Sequence, residues 1–148
     1  MSDILSKFLG VILAFILLAG APITIHTLSS DLTMKRGVMN EMTNFIDKVT
    51  DTGKIADVEL ADFYLASSSY GVAMDVEIKR YVRVINPDGA GGTYTTYTRS
   101  DNISSWNQGD IIQVTVKAID WSSSQRITWQ LLRITQPKFE TTLAGMVR

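Results

Sequence analysis

The sequence predicts an α+β fold: a long N-terminal helix that is apolar first and amphipathic after, a short second helix, and a C-terminal antiparallel β-sheet of three to four strands. Three observations predict it. Residues 8–25 read FLGVILAFILLAGAPITI, eighteen residues without a formal charge. No proline interrupts the chain between Pro22 and Pro87. From Val72 onward the apolar residues change from helical spacing to alternation, the signature of strands with one buried and one wet face. The boundaries expected are 1–30 for a transmembrane helix, 31–70 for the amphipathic helix with the short second helix, and 71–148 for the β domain.

The first element is read from length. A helix rising about 1.5 Å per residue needs roughly 20 apolar residues to cross the hydrocarbon core of a bilayer. The charge-free stretch, which continues through His26 to Ser30, meets that length. Two other readings compete. A cleaved signal would use Lys7 for charge and Ala19-Gly20-Ala21 as its small residues, but Pro22 directly after that site disfavours cleavage. A buried core helix would need more chain around it than a 148-residue protein has to cover a helix apolar on every face. Asp3 and Lys7 before the run and Lys35 and Arg36 after it leave the positive-inside comparison weak.

Beyond the run, Leu28, Leu32, Met39, Met42, Ile46 and Val49 keep one helical stripe, interrupted by Lys35. This predicts a rod continuous with the membrane segment and stopped near Thr52 by Gly53, with Pro22 loosening it near the membrane surface. Gly37 costs about 1 kcal/mol relative to Ala unless close packing uses it. A second helix is expected with Asp57 as N-cap, Leu60, Ala61, Tyr64 and Leu65 as its apolar face, and Ser67–Gly71 as its end.

Val72, Met74, Val76 and Ile78 alternate with Ala73, Asp75, Glu77 and Lys79, as a strand would. Asn86-Pro87-Asp88-Gly89 and Gly91-Gly92 are turn residues, and Thr93–Arg99 (TYTTYTR) is a strand-forming stretch that pairs back as a hairpin. After the turn at Asn107–Asp110, Ile112, Val114, Val116 and Ala118 alternate. After Ser122–Gln125, Ile127, Trp129 and Leu131 do the same, giving a meander in which Trp129 is core. The amphipathic stripe of the rod is the nearest cover for the apolar face of such a sheet.

Composition removes many activities. The absence of cysteine excludes disulfides, thiolate zinc sites, iron–sulfur clusters and cysteine nucleophiles, and a single histidine excludes a multi-histidine metal site. Fourteen basic against fifteen acidic residues leave a net charge of −1 and no electrostatic footprint for nucleic acid. The Gly89-Ala90-Gly91-Gly92 cluster lies between strands and precedes no helix, so it reads as a hairpin tip and not as a phosphate loop. G-x-S-x-G is absent, and His26 lies at the membrane edge, away from any partner expected of a general base. Asp101, Asn102, Asp110 and Asp120 lack dense calcium-loop spacing, and turn chemistry explains each. No cofactor and no metal are expected. Tyr94, Tyr97, Trp106 and Trp121 are the candidates for a surface that touches a sugar or another subunit.

The layout of apolar anchor, continuous amphipathic extension and antiparallel sheet resembles the lollipop of type IV pilin-like proteins. Asn44-Phe45-Ile46-Asp47-Lys48-Val49, Thr52-Gly53-Lys54-Ile55, Asp62-Phe63-Tyr64 and Val72–Ile78 resemble the TadE-like, Tad-type pilin relatives of Gram-positive bacteria. The resemblance covers residues 5 to 120 in layout and rests on short motifs. It implies a non-enzymatic minor pilin or pilus-assembly subunit, single-pass in the cell membrane with its β domain outside. Its partners would be copies of itself or related subunits, with membrane lipid before assembly. The assembly helix would use Phe8, Gly10, Val11, Ala14, Phe15, Leu18, Ala19, Gly20, Pro22, Leu28 and Leu32, with small residues allowing close approach. The chain departs from the pilin pattern where a prepilin peptidase would cut: the nearest glycine, Gly10, lies inside the apolar run, and the fifth position after it is Phe15 where pilins carry Glu.

Overall fold

The computed structural model describes residues 2–133 and 137–148. A single long helical body comes first, made of α1 (Ser2–Phe15), one π-helical turn (Ile16–Gly20) and α2 (Ala21–Thr52). The π turn lies immediately before Pro22, which has no N–H to donate back into the preceding turn, so the loosening expected near the proline takes this form without ending the helix. Gly53 stops α2 at φ +65° and donates its N–H to the carbonyl of Val49, at 2.8 Å. The carbonyl of Thr50, one of the last-turn acceptors left without a helical partner, accepts from Arg148 N–H at 3.0 Å.

After α3 (Asp57–Ser68) come β1 (Met74–Pro87), β2 (Thr93–Ser100), β3 (Ile111–Ala118), α4 (Ser123–Leu132) and β4 (Glu140–Met146). The four strands form one antiparallel sheet in the order β2-β1-β3-β4. This is not a sequential meander, because the long β1 pairs on both sides: Met74–Tyr81 with β3 and Arg80–Pro87 with β2. The β1–β2 end therefore projects as a two-stranded ribbon beyond the part of the sheet that the helices cover. Residues of β2 from Thr93 to Arg99 are all exposed.

The core lies between α2 and one face of the sheet. Met34, Val38, Met42, Phe45, Ile46 and Val49 of α2 meet Met74, Val76, Ile112, Val114, Val116 and Ala118. The buried stripe is thus rotated from the one expected. Met42, Ile46 and Val49 belong to it, but Leu28, Leu32 and Met39 face outward, and Met34, Val38 and Phe45 take their place. Gly145 of β4 lets the rod approach the sheet, since a Cβ there would stand 2.5 Å from Ile46 Cγ2 and 2.9 Å from Thr50 Cγ2. Gly37 serves the same purpose on the other side, where a Cβ would meet the Tyr70 ring at 2.2 Å. The glycine that costs the helix propensity is used for packing.

Two further elements differ from expectation. In α3, Ala56 and not Asp57 precedes the first turn, and the face turned inward is Phe63 and Ser67 with Leu60, as expected, half-buried against the core, while Ala61, Tyr64 and Leu65 are exposed. Phe63 stacks on Phe45 with ring centroids 4.6 Å apart, an aromatic contact between helices that a period drawn through Leu60 and Tyr64 overlooks. The segment expected as a strand at Ile127–Leu131 is the helix α4. Ser122 accepts from the N–H of Gln125 while the Gln125 side chain accepts from the N–H of Ser122, a reciprocal capping box that starts a helix where alternation alone suggests a strand.

Candidate functional site

The exposed half of the helix is the most unusual surface of the molecule. From Asp3 to Thr52 the helix is 50 residues long, about 75 Å at 1.5 Å per residue, and the chain itself buries 0% of its most apolar window. It is long and apolar enough to cross a membrane. Phe8, Val11, Phe15, Leu18, Leu28 and Leu32 are exposed large apolar side chains on it, and a Cβ added at Gly10 or Gly20 would meet nothing within 4 Å. Ala14 is likewise exposed, and Pro22 stands in the first turn after the π-helical stretch. All of the expected assembly residues therefore lie on this helix and are exposed, apart from the half-buried Ala19 and Gly20.

The four aromatic candidates do not form one surface. Trp106 is only 6% exposed and belongs to the core. Its indole N–H donates to Ile103 O at 2.8 Å, its backbone N–H donates to Gly53 O at 3.0 Å, and the Arg80 guanidinium lies 5.6 Å from its ring centroid. Tyr94 and Tyr97 are exposed on β2 but three residues apart, so alternation sends them to opposite faces of the ribbon. Trp121 is half-buried just before α4 and packs against Trp129 at 6.0 Å between centroids. Trp129, expected in the core, is 36% exposed because the helix turns it outward.

Beneath Trp106 lies a buried ion pair that sequence spacing alone does not reveal. Arg80 Nε and Nη2 donate to Asp110 Oδ2 at 2.9 and 2.5 Å, and Nη1 donates to the carbonyl of Asn102 at 3.2 Å. Asp110 also accepts from the N–H of Asn107 at 3.0 Å and of Arg83 at 3.1 Å. Burial disfavours its charge, but these donors outweigh burial and hold the carboxyl below the usual carboxylate range. The pair joins β1 to the turn before β3, and Val147 N–H donating to Asp110 O at 2.9 Å ties the end of the chain to the same place. Its partners are all structural, so Asp110 reads as a fold-fixing residue and not as a calcium ligand.

Where α4 meets α2, Ser124 Oγ donates to the Asp31 carboxylate and pairs with Ser122 Oγ at 2.8 Å. This contact borders a cleft of about 340 Å³ that His26, Ser30, Met34, Tyr70 and Ile127 also line. A serine, a histidine and an aspartate thus share one cleft, but the serine bonds the aspartate directly and not the imidazole. That differs from the serine–histidine relay in which the base lies between the other two. Among the described residues no group of three His, Asp or Glu side chains is placed to hold a metal ion.

Comparison with protein-family models, with curated proteins and with solved structures finds no match to this chain.

Proposed function

We propose that this protein is a non-enzymatic, single-pass subunit of a cell-envelope assembly, pilus-like or serving secretion or conjugation, held in the membrane by residues 8–25 with its β domain outside. One observation carries the reading. A single helix runs without a linker from a segment that nothing else in the described chain covers to a segment whose apolar stripe the sheet covers. A tether that only held a domain at a membrane would gain nothing from rigid continuity, whereas a filament subunit would need its exposed helix held at a fixed angle to its head. Lipid covers the apolar half before assembly, and the same half of neighbouring subunits covers it afterwards. The i, i+4 pair Gly10 and Ala14 would let two such helices approach closely. The short motifs resembling those of TadE-like pilin relatives support the same reading.

The test is the state of the full chain. In mild detergent it should form oligomers, helical arrays should order its copies side by side, and deletion should remove or alter surface filaments. A monomer in detergent together with unchanged filaments would refute the proposal. A second reading, a membrane-anchored or released module that binds a ligand through its sheet, is favoured by the exposed β1–β2 ribbon carrying Tyr94 and Tyr97. Mass spectrometry separates the released form from the assembly subunit: a mature chain beginning at Pro22 or later would lack the membrane span and most of the assembly residues.

A further inference from the structure

The helix α4 carries an outward surface that neither the core nor the ion pair uses, and its position along α2 indicates what covers it. Counting about 20 residues from Phe8 puts the hydrocarbon edge near Thr27, and Asp31 lies about 6 Å farther along the helix. The interfacial layer on each side of a bilayer is about 5–7 Å thick, so Asp31 falls within it. Asp31 is the first Asp, Glu, Lys or Arg after Lys7, and it is the residue to which Ser124 fixes the start of α4. Ile127, one turn on, lines the same cleft as His26 and Ser30, which brings α4 alongside the part of α2 nearest the apolar run.

The chemistry of that surface matches the depth. Trp129 is exposed with Trp121 packed on it, and Arg133, one turn on along the same face, has its guanidinium 5.0 Å from the Trp129 ring centroid, while Ile127, two positions before Trp129, turns to the cleft side of α4. Indole rings with an apolar body and a polar edge favour the headgroup level, and a guanidinium beside them is placed to meet phosphate. Between Ile119 and Phe139 the sequence holds Arg126, Arg133 and Lys138 against Asp120 alone, and Arg126 is paired with that aspartate. The Asp31 carboxylate on the facing helix is occupied by Ser124. The remaining charge is positive.

We propose that α4 is an interfacial helix that rests on an anionic lipid surface, setting the Trp121–Trp129 pair into the headgroup layer with Arg133 at the lipid phosphates and Ile127 at the same depth on the side facing α2. The proposal rests on the anchor reading above. It implies that the head is seated on the membrane by two contacts, the span and α4, and that assembly would have to lift α4 away.

The chain has no cysteine, so single spin labels can be placed in the full protein at Leu13→Cys, Ile127→Cys and Asp88→Cys. Reconstituted in phosphatidylcholine–phosphatidylglycerol bilayers, the label at 13 should report hydrocarbon depth, at 127 headgroup depth and at 88 water. Phosphatidylcholine alone, or Arg133→Gln in the mixed bilayer, should shift the label at 127 toward water. In the unsubstituted chain, lipids brominated near the headgroup should quench tryptophan emission, and Trp129→Phe should remove much of that quenching. A label at 127 as water-accessible as the one at 88, with 13 still in hydrocarbon, overturns the proposal and leaves the anchor standing. A label at 127 shielded by spin–spin contact with a second copy, and indifferent to lipid charge, also overturns it. A label at 13 in water would sink the anchor and this proposal together.

Discussion

The two halves of the long helix are built from similar residues and have opposite fates. Near the N-terminus Leu13, Phe15 and Leu18 project away from the protein, and in the C-terminal half of α2 Val38, Met42 and Val49 are completely buried. The difference is partly one of distribution. In the first half apolar side chains occupy every face, so a sheet on one side could never cover them. In the second half all but Met39 occupy one stripe from Met34 to Val49, with Lys35, Glu41, Asp47 and Lys48 elsewhere, and one sheet suffices. Cover is therefore the variable that separates an anchor from a core, and substitutions at matched positions should separate the two halves.

The largest effect is expected at the junction that fixes the covered half. Asp110→Ala leaves Arg80 buried without its carboxylate and should destabilise the domain by about 3–5 kcal/mol, measured by urea unfolding of the full chain in detergent. The same group makes stability depend on acid. Its carboxyl titrates lower folded than unfolded, so its contribution is fully present above the unfolded value of about 3.9 and is lost as the pH falls through the lower folded value. An unfolding midpoint insensitive to pH in that window would contradict the account.

Met42→Ala removes a side chain with no exposure and should cost about 2–5 kcal/mol. The matched change Phe15→Ala, in the other half, should leave the unfolding midpoint of the β domain unchanged. Equal losses from both would mean that the apolar run packs on the domain after all. Leu17→Lys places a charge at the middle of the span and should disfavour insertion by about 2.5–3.5 kcal/mol, visible as a shift of the protein from membrane to soluble or aggregated fractions. Ser122→Ala removes the cap of α4 and should cost about 0.5–2 kcal/mol, with lower protection of α4 amides from hydrogen exchange while those of β3 stay protected.

How far each element is legible in the sequence depends on whether its signal is local. The apolar run, the turn at Gly53, the alternation of β1 and β3 and the Thr-rich hairpin strand all carry their cause in adjacent residues, and each appears in the structure. Alternation at Ile127, Trp129 and Leu131 points to a strand where the structure has α4, although the helix start is written in Ser122-Ser123-Ser124-Gln125, and there the capping box prevails over the alternation. The buried face of α3 is only partly legible because the exposed Leu65 is as apolar as the buried Phe63, and only the position of Phe45 on another helix selects Phe63. Trp106 is expected at the surface because strand ends are usually wet, and the Arg80–Asp110 pair beneath it joins residues 30 apart in sequence.

By itself the sequence determined that this chain has a lipid-length apolar helix continuing into an amphipathic one and a sheet with one apolar face, since length and period are properties of neighbouring residues. Only the tertiary structure decided which helical stripe the sheet would take, why Gly37 and Gly145 must be small, and that Arg80 and Asp110 would meet in the interior. Those outcomes depend on distances between segments far apart in the chain, set by the way β1 pairs on both sides and by the angle at which the rod crosses the sheet.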